Sequence, residues 1–294
     1  MAPSTTRATC LAAMACCSGA IARPAWSRCS RPARAAGEGS MPFFTPATNE
    51  LSPAPACPPR LALITGASGG VGRCCAKALA DIGYATIVVG RDPDRLAALV
   101  GEIEALPRAM PCIALAADLK DREAIRGLLA RIATLGVPEV FISAAGMTST
   151  RTDRFTDAEL DEAMALNALA PIQLARGIIA MMENANRGYI INIASRAGLV
   201  GFSDKGIYGA SKAAAIRFFD AVYAKYLDSG VRVTSICPGW INTPMATAGG
   251  CEKKPEDLLQ PQDISSLIAW LVSSNPRVRI RELTVEAGGS TTFQ

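Results

Sequence analysis

The sequence predicts one α/β domain in which helices cover both faces of a doubly wound parallel sheet of about seven strands. Short apolar, β-branched runs alternate with helical patterns, and this alternation is typical of parallel sheets. A glycine-rich turn follows the first apolar run directly. The length of 294 residues suits one such domain of roughly 230 residues with a leader in front of it.

The strands are expected, in chain order, near residues 61–65, 85–89, 111–116, 139–143, 188–194, 231–236 and 280–285. Continuous apolar runs of this kind are typical of strands that are buried on both faces. Helical patterns fill the gaps, including residues 71–82, 157–182 and 208–228. Residues 244–259 contain two adjacent glycines and two adjacent lysines, and they are predicted to form a lid at the carboxyl edge of the sheet.

The first strand runs into the turn Thr65-Gly66-Ala67-Ser68-Gly69-Gly70-Val71-Gly72. Glycine at positions 66, 70 and 72 allows positive φ and lets a ligand approach the backbone closely. The helix that begins at Val71 directs its amino end towards this turn, and such an end favours a pyrophosphate. Strand, glycine turn and helix together predict a dinucleotide site.

The end of the second strand, Gly90-Arg91-Asp92, bears on which dinucleotide is bound. An acidic side chain at this tip would bind the ribose hydroxyls of NAD and repel a 2′-phosphate. Gly90 leaves room instead, and Arg91 offers a planar set of donors to that phosphate. NADP is therefore favoured over NAD. The alternative is that Arg91 only pairs with Asp92 or Asp94 at the surface.

Tyr208 and Lys212 lie four residues apart on a predicted helix, so their side chains share one face. The ammonium is expected to lower the pKa of the phenol, which could then exchange a proton near neutral pH. Ser195 follows a buried strand, and its hydroxyl is expected at the carboxyl edge, where open α/β sheets bind ligands. The alternative makes Ser195 a loop residue and Tyr208 an ordinary helix residue.

With these motifs in this order, residues 60–289 resemble the short-chain dehydrogenase/reductase family. The resemblance implies a Rossmann-type sheet and an oxidoreductase that transfers hydride between NADP(H) and a small carbonyl compound or secondary alcohol. It implies that Tyr208 is the general acid in reduction and the base in oxidation. Lys212 would hold the nicotinamide ribose, and Ser195 would bind the substrate oxygen.

The resemblance also implies that Asn167 anchors a water linking Lys212 to solvent, and that Thr243 and Asp118 contact the cofactor. The implied cofactor-binding set is Gly66, Ser68, Gly70, Val71, Gly72, Arg91, Asp118, Leu119, Ala145, Gly146, Tyr208, Lys212, Pro238, Gly239 and Thr243. The sequence departs from the family where Ser143-Ala144 replaces two asparagines.

Two other functions remain open. A 3-oxoacyl-[acyl-carrier-protein] reductase would use the same chemistry, but the ending Val285-Glu286-Ala287-Gly288 lacks the Val-Asp-Gly-Gly sequence common in those enzymes. A non-catalytic regulator or scaffold that binds the dinucleotide could share the fold. The intact serine, tyrosine and lysine argue against that second reading.

Composition excludes several classes of protein. The sequence has no histidine, which rules out a Ser-His-Asp triad and histidine-dependent zinc sites, and no metal site is predicted. Residues 1–40 hold five arginines against one glutamate, which accounts for the net charge of +4. The balanced remainder argues against a nucleic-acid partner. No stretch reaches the roughly 18 uninterrupted apolar residues of a spanning helix, so no transmembrane segment is predicted.

Residues 1–57 are predicted to be a disordered leader and linker, and residues 58–294 the catalytic domain. A leader rich in Arg and Ser suits a mitochondrial or plastid transit peptide; if Met41 is the true start, the protein is cytoplasmic. Relatives commonly pair the helices here predicted over 157–182 and 208–228, and the second carries much apolar surface. A homodimer or homotetramer is therefore expected.

Overall fold

The computed structural model describes residues 59–108 and 110–288. Its strands are β1 Arg60–Thr65, β2 Tyr84–Gly90, β3 Cys112–Ala116, β4 Val140–Ser143, β5 Gly188–Ile193, β6 Val231–Pro238 and β7 Glu282–Val285. They form one sheet of order β3-β2-β1-β4-β5-β6-β7, in which every neighbouring pair is parallel. This confirms the predicted fold class. The predicted leader lies outside the described residues.

The helices are α1 Gly70–Asp81, α2 Pro93–Glu104, α3 Arg122–Leu135, α4 Asp157–Met164, α5 Ala170–Asn184, α6 Gly206–Lys225, α7 Pro244–Ala248 and α8 Pro261–Ser273. Two buried apolar clusters lie on opposite faces of the sheet. One joins the sheet to α1, α2 and α8, and the other joins it to α3, α5 and α6. The helices therefore cover both faces, as the sequence predicts.

Alternation along each strand explains why two clusters form. In β4, Val140 and Ile142 belong to the cluster with α1, whereas Phe141 between them belongs to the cluster with α5. Successive side chains of a strand point to opposite faces, and both faces are covered here. Strands β2 and β5 are accordingly buried along their whole length. This is why they appear in the sequence as continuous apolar runs.

Successive strands are added first on one side of β1 and then on the other. The chain moves outward from β1 to β3 and then returns to β4, so that β1 lies between β2 and β4. Open α/β sheets bind ligands at the carboxyl ends of the strands beside such a switch point. The topology thus places the expected site at the ends of β1 and β4.

The helical run Asp157–Asn184 has the length and the mean hydropathy, 1.3, of a membrane-spanning helix. The apolar side of α5, which includes Leu174 and Ile178, packs in the same core layer as α3 and α6. Its apolar character therefore belongs to the core of the domain.

Part of the apolar surface expected on the helix over 208–228 is buried within the domain itself. Helix α6 ends at Lys225, and both Val222 and Tyr226 are buried within the domain. These two side chains cover the core rather than a partner subunit. The oligomeric state stays a prediction.

Candidate active site

A cavity of about 520 Å³ opens along the carboxyl edge of the sheet. It extends from the turn after β1, which we call the β1 end, to Glu286 after β7, which we call the β7 end. The predicted residues that line it are Gly66, Gly70, Val71, Gly72, Gly146, Ser195, Tyr208, Lys212, Pro238, Gly239 and Thr243. Those outside its lining are Ser68, Arg91, Asp118, Leu119, Ala145 and Asn167.

The glycine turn forms a cradle at the β1 end. Gly66 has a φ of +65°, and a Cβ placed on Gly72 would lie only 2.3 Å from the Gly66 carbonyl oxygen. Helix α1 starts at Gly70 and has no side-chain cap. Its first backbone N–H groups therefore need partners from outside the helix, and a phosphate supplies such partners. Turn and helix end together fit the pyrophosphate of a dinucleotide.

Around the tip of β2, the two arginines differ in their contacts. Arg91 is exposed, and across residues 59–108 and 110–288 no ion pair to it is found. Asp92 instead caps α2 by accepting hydrogen bonds from the Asp94 and Arg95 amides. Arg95, which the sequence analysis did not select, donates to the Ser68 carbonyl oxygen at 2.6 Å and lines the cavity.

The two predicted site residues that follow β3 also differ in their surroundings. Asp118 is exposed and accepts a hydrogen bond from the Lys120 amide at 3.0 Å, while Leu119 is buried in the core. Asp118 is thus accessible from solvent, whereas the side chain of Leu119 serves packing.

The structure brings Ser195, Tyr208 and Lys212 together in the lining of the cavity. Ser195 follows β5, and its hydroxyl accepts a hydrogen bond from the Ala197 amide at 3.1 Å. A further hydrogen bond joins the side chains of Ser195 and Tyr208. The Lys212 ammonium donates to the Ile193 carbonyl oxygen at 3.1 Å. Strand β5 and helix α6 therefore position all three groups.

The electrostatics of this group differ from the expectation. Burial raises the pKa of Tyr208, and the hydrogen bond to Ser195 offsets only part of that effect. Burial also lowers the pKa of Lys212 to about 8. The expected lowering of the Tyr208 pKa by the Lys212 ammonium is wrong for this structure, because loss of solvation dominates and the opposing effect comes from Ser195. At neutral pH the phenol is protonated and can donate its proton.

Asn167 lies in a π-helical turn, Ala165–Leu169, between α4 and α5. Its side chain is buried, accepts from the Met147 amide at 2.9 Å, and donates to the Met147 carbonyl and to the Ser211 hydroxyl at 3.0 Å each. Turns of this type occur frequently at functional sites. Asn167 thus ties the loop after β4 to α6, next to Lys212.

The loop after β4 passes close to these polar groups. A Cβ placed on Gly146 would lie 3.1 Å from Asn167 Oδ1 and 3.2 Å from Lys212 Nζ. A side chain at this position would crowd both polar groups, which agrees with the glycine that the motif provides. Ala145 next to it packs against the core and does not line the cavity.

The β7 end contains charged residues that the motifs did not indicate. Arg196 Nη1 and Glu286 Oε1 lie 2.5 Å apart, with side chains 12% and 13% exposed, and both line the cavity. Lys205 is buried, and its ammonium donates to Asp204 at 2.7 Å and to the Gly249 carbonyl at 2.6 Å. Arg196 and Glu286 are 90 residues apart in the chain, so no local pattern could have paired them.

Part of the segment predicted as a lid lines the cavity. Residues 244–259 contain α7 and a 3₁₀ turn, Pro255–Asp257, and the segment returns to the domain where Ile241 pairs with Leu259. The contact between Lys205 and Gly249 holds the lid against the amino end of α6. The paired lysines at 253 and 254 are exposed, although Lys253 reaches the cavity lining.

The sequence of this chain is similar to those of known proteins over most of its length. The profile described as short chain dehydrogenase matches residues 60–253. An uncharacterized oxidoreductase of Staphylococcus saprophyticus is 30% identical over 230 residues, which cover 77% of this chain and 96% of the relative.

Two solved structures are also similar. A metagenomic short-chain oxidoreductase in complex with NADP is 28% identical, with a TM-score of 0.67 over 77% of this chain and 96% of the other. A beta-ketoacyl-[ACP] reductase from Bacteroides thetaiotaomicron is 29% identical, with a TM-score of 0.68 over 78% of this chain and 97% of the other.

Proposed function

The chain belongs to the short chain dehydrogenase family and is an oxidoreductase, and we propose that it transfers hydride between NADP(H) and a small carbonyl compound or secondary alcohol. The observation that carries the proposal is the convergence of Ser195, Tyr208 and Lys212 in the lining of one cavity beside the glycine turn. Three groups from two separate elements meet where the nucleotide cradle ends.

Each side chain has a role that its environment supports. The bound nicotinamide would supply the hydride. Tyr208, protonated at neutral pH, gives its proton to the carbonyl oxygen, and the Ser195 hydroxyl donates a hydrogen bond to the same oxygen. Lys212 holds the nicotinamide ribose from the inner side of the cavity. Oxidation needs the Tyr208 phenolate first, so its raised pKa shifts that direction towards alkaline pH.

NADP is the proposed cofactor, and NAD is the less favoured one. Gly90 places no acidic side chain at the tip of β2, and it lies against Ser68, since a Cβ there would be only 2.9 Å from the Ser68 hydroxyl. Arg91 is exposed at the same tip, and Asp92 is committed to capping α2. The NADP complex of the metagenomic relative supports the same choice. Comparison of kcat/KM for NADPH and NADH tests this, and a preference for NADH would overturn it.

A beta-ketoacyl carrier-protein reductase is the second candidate, because one similar solved structure has that activity in its description. The exposed Lys253 and Lys254 on the lid could meet an acidic carrier. Acetoacetyl thioesters and small ketones of equal reactivity distinguish the two functions. A kcat/KM at least tenfold higher for the thioester would favour the carrier-protein reductase.

The direct test of the proposed function is oxidation of NADPH, followed at the nicotinamide absorbance, with a panel of aldehydes, ketones and hydroxy compounds. We expect turnover with several small carbonyl compounds. Tight NADPH binding without turnover of any panel member would instead favour a regulator or scaffold.

The cytoplasm is the proposed compartment, since the relative named above is bacterial and is matched over nearly its whole length. The mitochondrial and plastid alternatives gain no support from it. A homodimer or homotetramer remains the expected assembly.

A further inference from the structure

We propose that the ion pair of Arg196 and Glu286 makes this enzyme select carbonyl compounds with a neighbouring hydroxyl group, in preference to apolar ketones and to keto acids. The inference rests on the proposed function and names the substrate class of the same site. Neither residue belongs to the motifs that identify the family in this chain.

The position of the pair follows from the strand order. The glycine turn lies after β1, and the tip of β2, where Arg91 would meet a 2′-phosphate, lies farther out on that side. Arg196 comes directly after Ser195 beside β5, and Glu286 follows β7 at the opposite edge. The pair therefore lies on the side of Ser195 opposite the glycine turn, and it lines the same cavity as Ser195, where it can meet the substituents of a substrate.

Neighbouring groups hold the pair in the cavity wall. The Arg196 guanidinium lies 4.8 Å from the centroid of the Phe202 ring. A Cβ placed on Gly239 would lie 3.7 Å from Glu286 Cγ, so the glutamate packs against the backbone after β6. Only 12% and 13% of the two side chains is exposed, so both charges are largely withdrawn from bulk water. The small exposed fraction faces the cavity that both residues line.

The chemistry of the pair fits a hydroxyl group best. A guanidinium carries five N–H donors and a carboxylate about four acceptor positions, while a hydroxyl both donates and accepts. One hydroxyl can therefore accept from Arg196 and donate to Glu286. An apolar substituent would remove water from both charges without forming hydrogen bonds to them. Sites built to bind a hydroxyl group discriminate strongly against analogues that lack it.

A carboxylate is the weaker fit for two reasons. It would be repelled by Glu286, since like charges at short range cost free energy in a cavity of low dielectric constant. Of the other cations that line this part of the cavity, Lys205 is already bound to the Asp204 carboxylate and to the Gly249 carbonyl, and Lys253 shares the lid with Asp257. The β7 end therefore carries charges of both signs.

Three probes of similar size test the inference: hydroxyacetone, butanone, and pyruvate, in which a methyl ketone carries a hydroxymethyl, an ethyl and a carboxylate group. With NADPH, we expect kcat/KM for hydroxyacetone to exceed that for butanone and pyruvate by at least tenfold. In the double variant Arg196→Met/Glu286→Met, which removes both charges of the pair together, the ratio of hydroxyacetone to butanone should fall to within about threefold of unity.

The matched control is Glu123→Met/Arg126→Met, which removes an exposed ion pair on α3 and should leave the ratio unchanged. If the double variant does not fold, Glu286→Gln keeps the shape and removes the negative charge. It should raise kcat/KM for pyruvate at least fivefold relative to hydroxyacetone.

This inference alone would be overturned if the parent reduced butanone as fast as hydroxyacetone. It would also be overturned if the double variant kept the parent's ratio of kcat/KM for hydroxyacetone to that for butanone. An unchanged pyruvate ratio in Glu286→Gln would do the same. No NADPH-dependent reduction of any carbonyl compound would overturn the proposed function, and this inference with it.

Discussion

Burial of Lys212 lowers the stability of the folded protein, although the proposed reaction needs this residue in the cavity. The residue is 7% exposed, and its pKa falls from 10.5 to about 8 in the folded protein. Between these values the unfolded chain binds more protons than the native one, so stability rises with pH across that window. Below about pH 8 the ammonium is charged in both states, and its burial costs the fold roughly 3 kcal/mol.

We therefore expect Lys212→Met to lose turnover and cofactor affinity while its relative stability depends on pH. Between pH 7 and pH 9.5 the free energy of unfolding of the parent should rise by about 2 kcal/mol relative to that of the variant, because Lys212 loses its proton and its charge in the folded parent. Denaturant unfolding at the two pH values measures this. Lys225→Met, at the exposed end of α6, is the control and should show no such change. A constant difference between parent and Lys212→Met would contradict the account.

The two arginines beside the nucleotide cradle should differ in cofactor specificity. Arg91→Ala should weaken NADP binding by about 1.5 to 3 kcal/mol and leave NAD binding nearly unchanged, because only NADP carries the 2′-phosphate. Arg95→Ala should weaken both cofactors, since Arg95 holds the Ser68 carbonyl within the turn. Titration of each variant with both cofactors measures this. Equal losses for NADP and NAD in Arg91→Ala would show that Arg91 has another role.

At the scale of an element, the turn between β1 and α1 depends on the absence of a side chain. Gly72→Ala should reduce NADPH affinity more than tenfold, because its Cβ would collide with the Gly66 carbonyl and force the turn to move. Gly101→Ala, in the exposed interior of α2 with no atom near its Cβ, is the control. It should keep full affinity and gain about 0.5 to 1 kcal/mol of stability. Equal affinity in both variants would show that the turn does not cradle the cofactor.

Elements with a strong local pattern are those that the sequence predicts well. The seven strands are short and mostly apolar, and five of them are largely buried, so each one falls within two residues of its expected start. The π-helical turn around Asn167 was not predicted, because one extra residue in a turn leaves the helical pattern almost unchanged. Arg95, Lys205, Arg196 and Glu286 were not predicted as site residues, because tertiary contacts rather than spacing bring them to the cavity. The predicted direction of the Tyr208 pKa shift was wrong, because the spacing of two residues on a helix does not show how deeply they are buried.

At the scale of the whole molecule, the cavity lies along one edge of the sheet, and α5 and α6 pack on one face of that sheet. Exposed apolar residues on the two helices expected to pair include Leu169, at 38%, and Ala221. We expect a dimer or tetramer in solution at micromolar concentration, since relatives of this family commonly associate through these helices. Static light scattering measures the mass. A mass close to that of one chain would refute the expectation.

The central claim is that Tyr208 transfers the proton in an NADPH-dependent reduction, and single-turnover hydride transfer in Tyr208→Phe tests it most directly. With NADPH bound and a carbonyl substrate that the parent reduces, the variant should be slower by two or more orders of magnitude, with the Kd for NADPH nearly unchanged. Tyr223→Phe, on the same helix but outside the cavity lining, should behave like the parent. A rate for Tyr208→Phe within a few-fold of the parent would contradict the account.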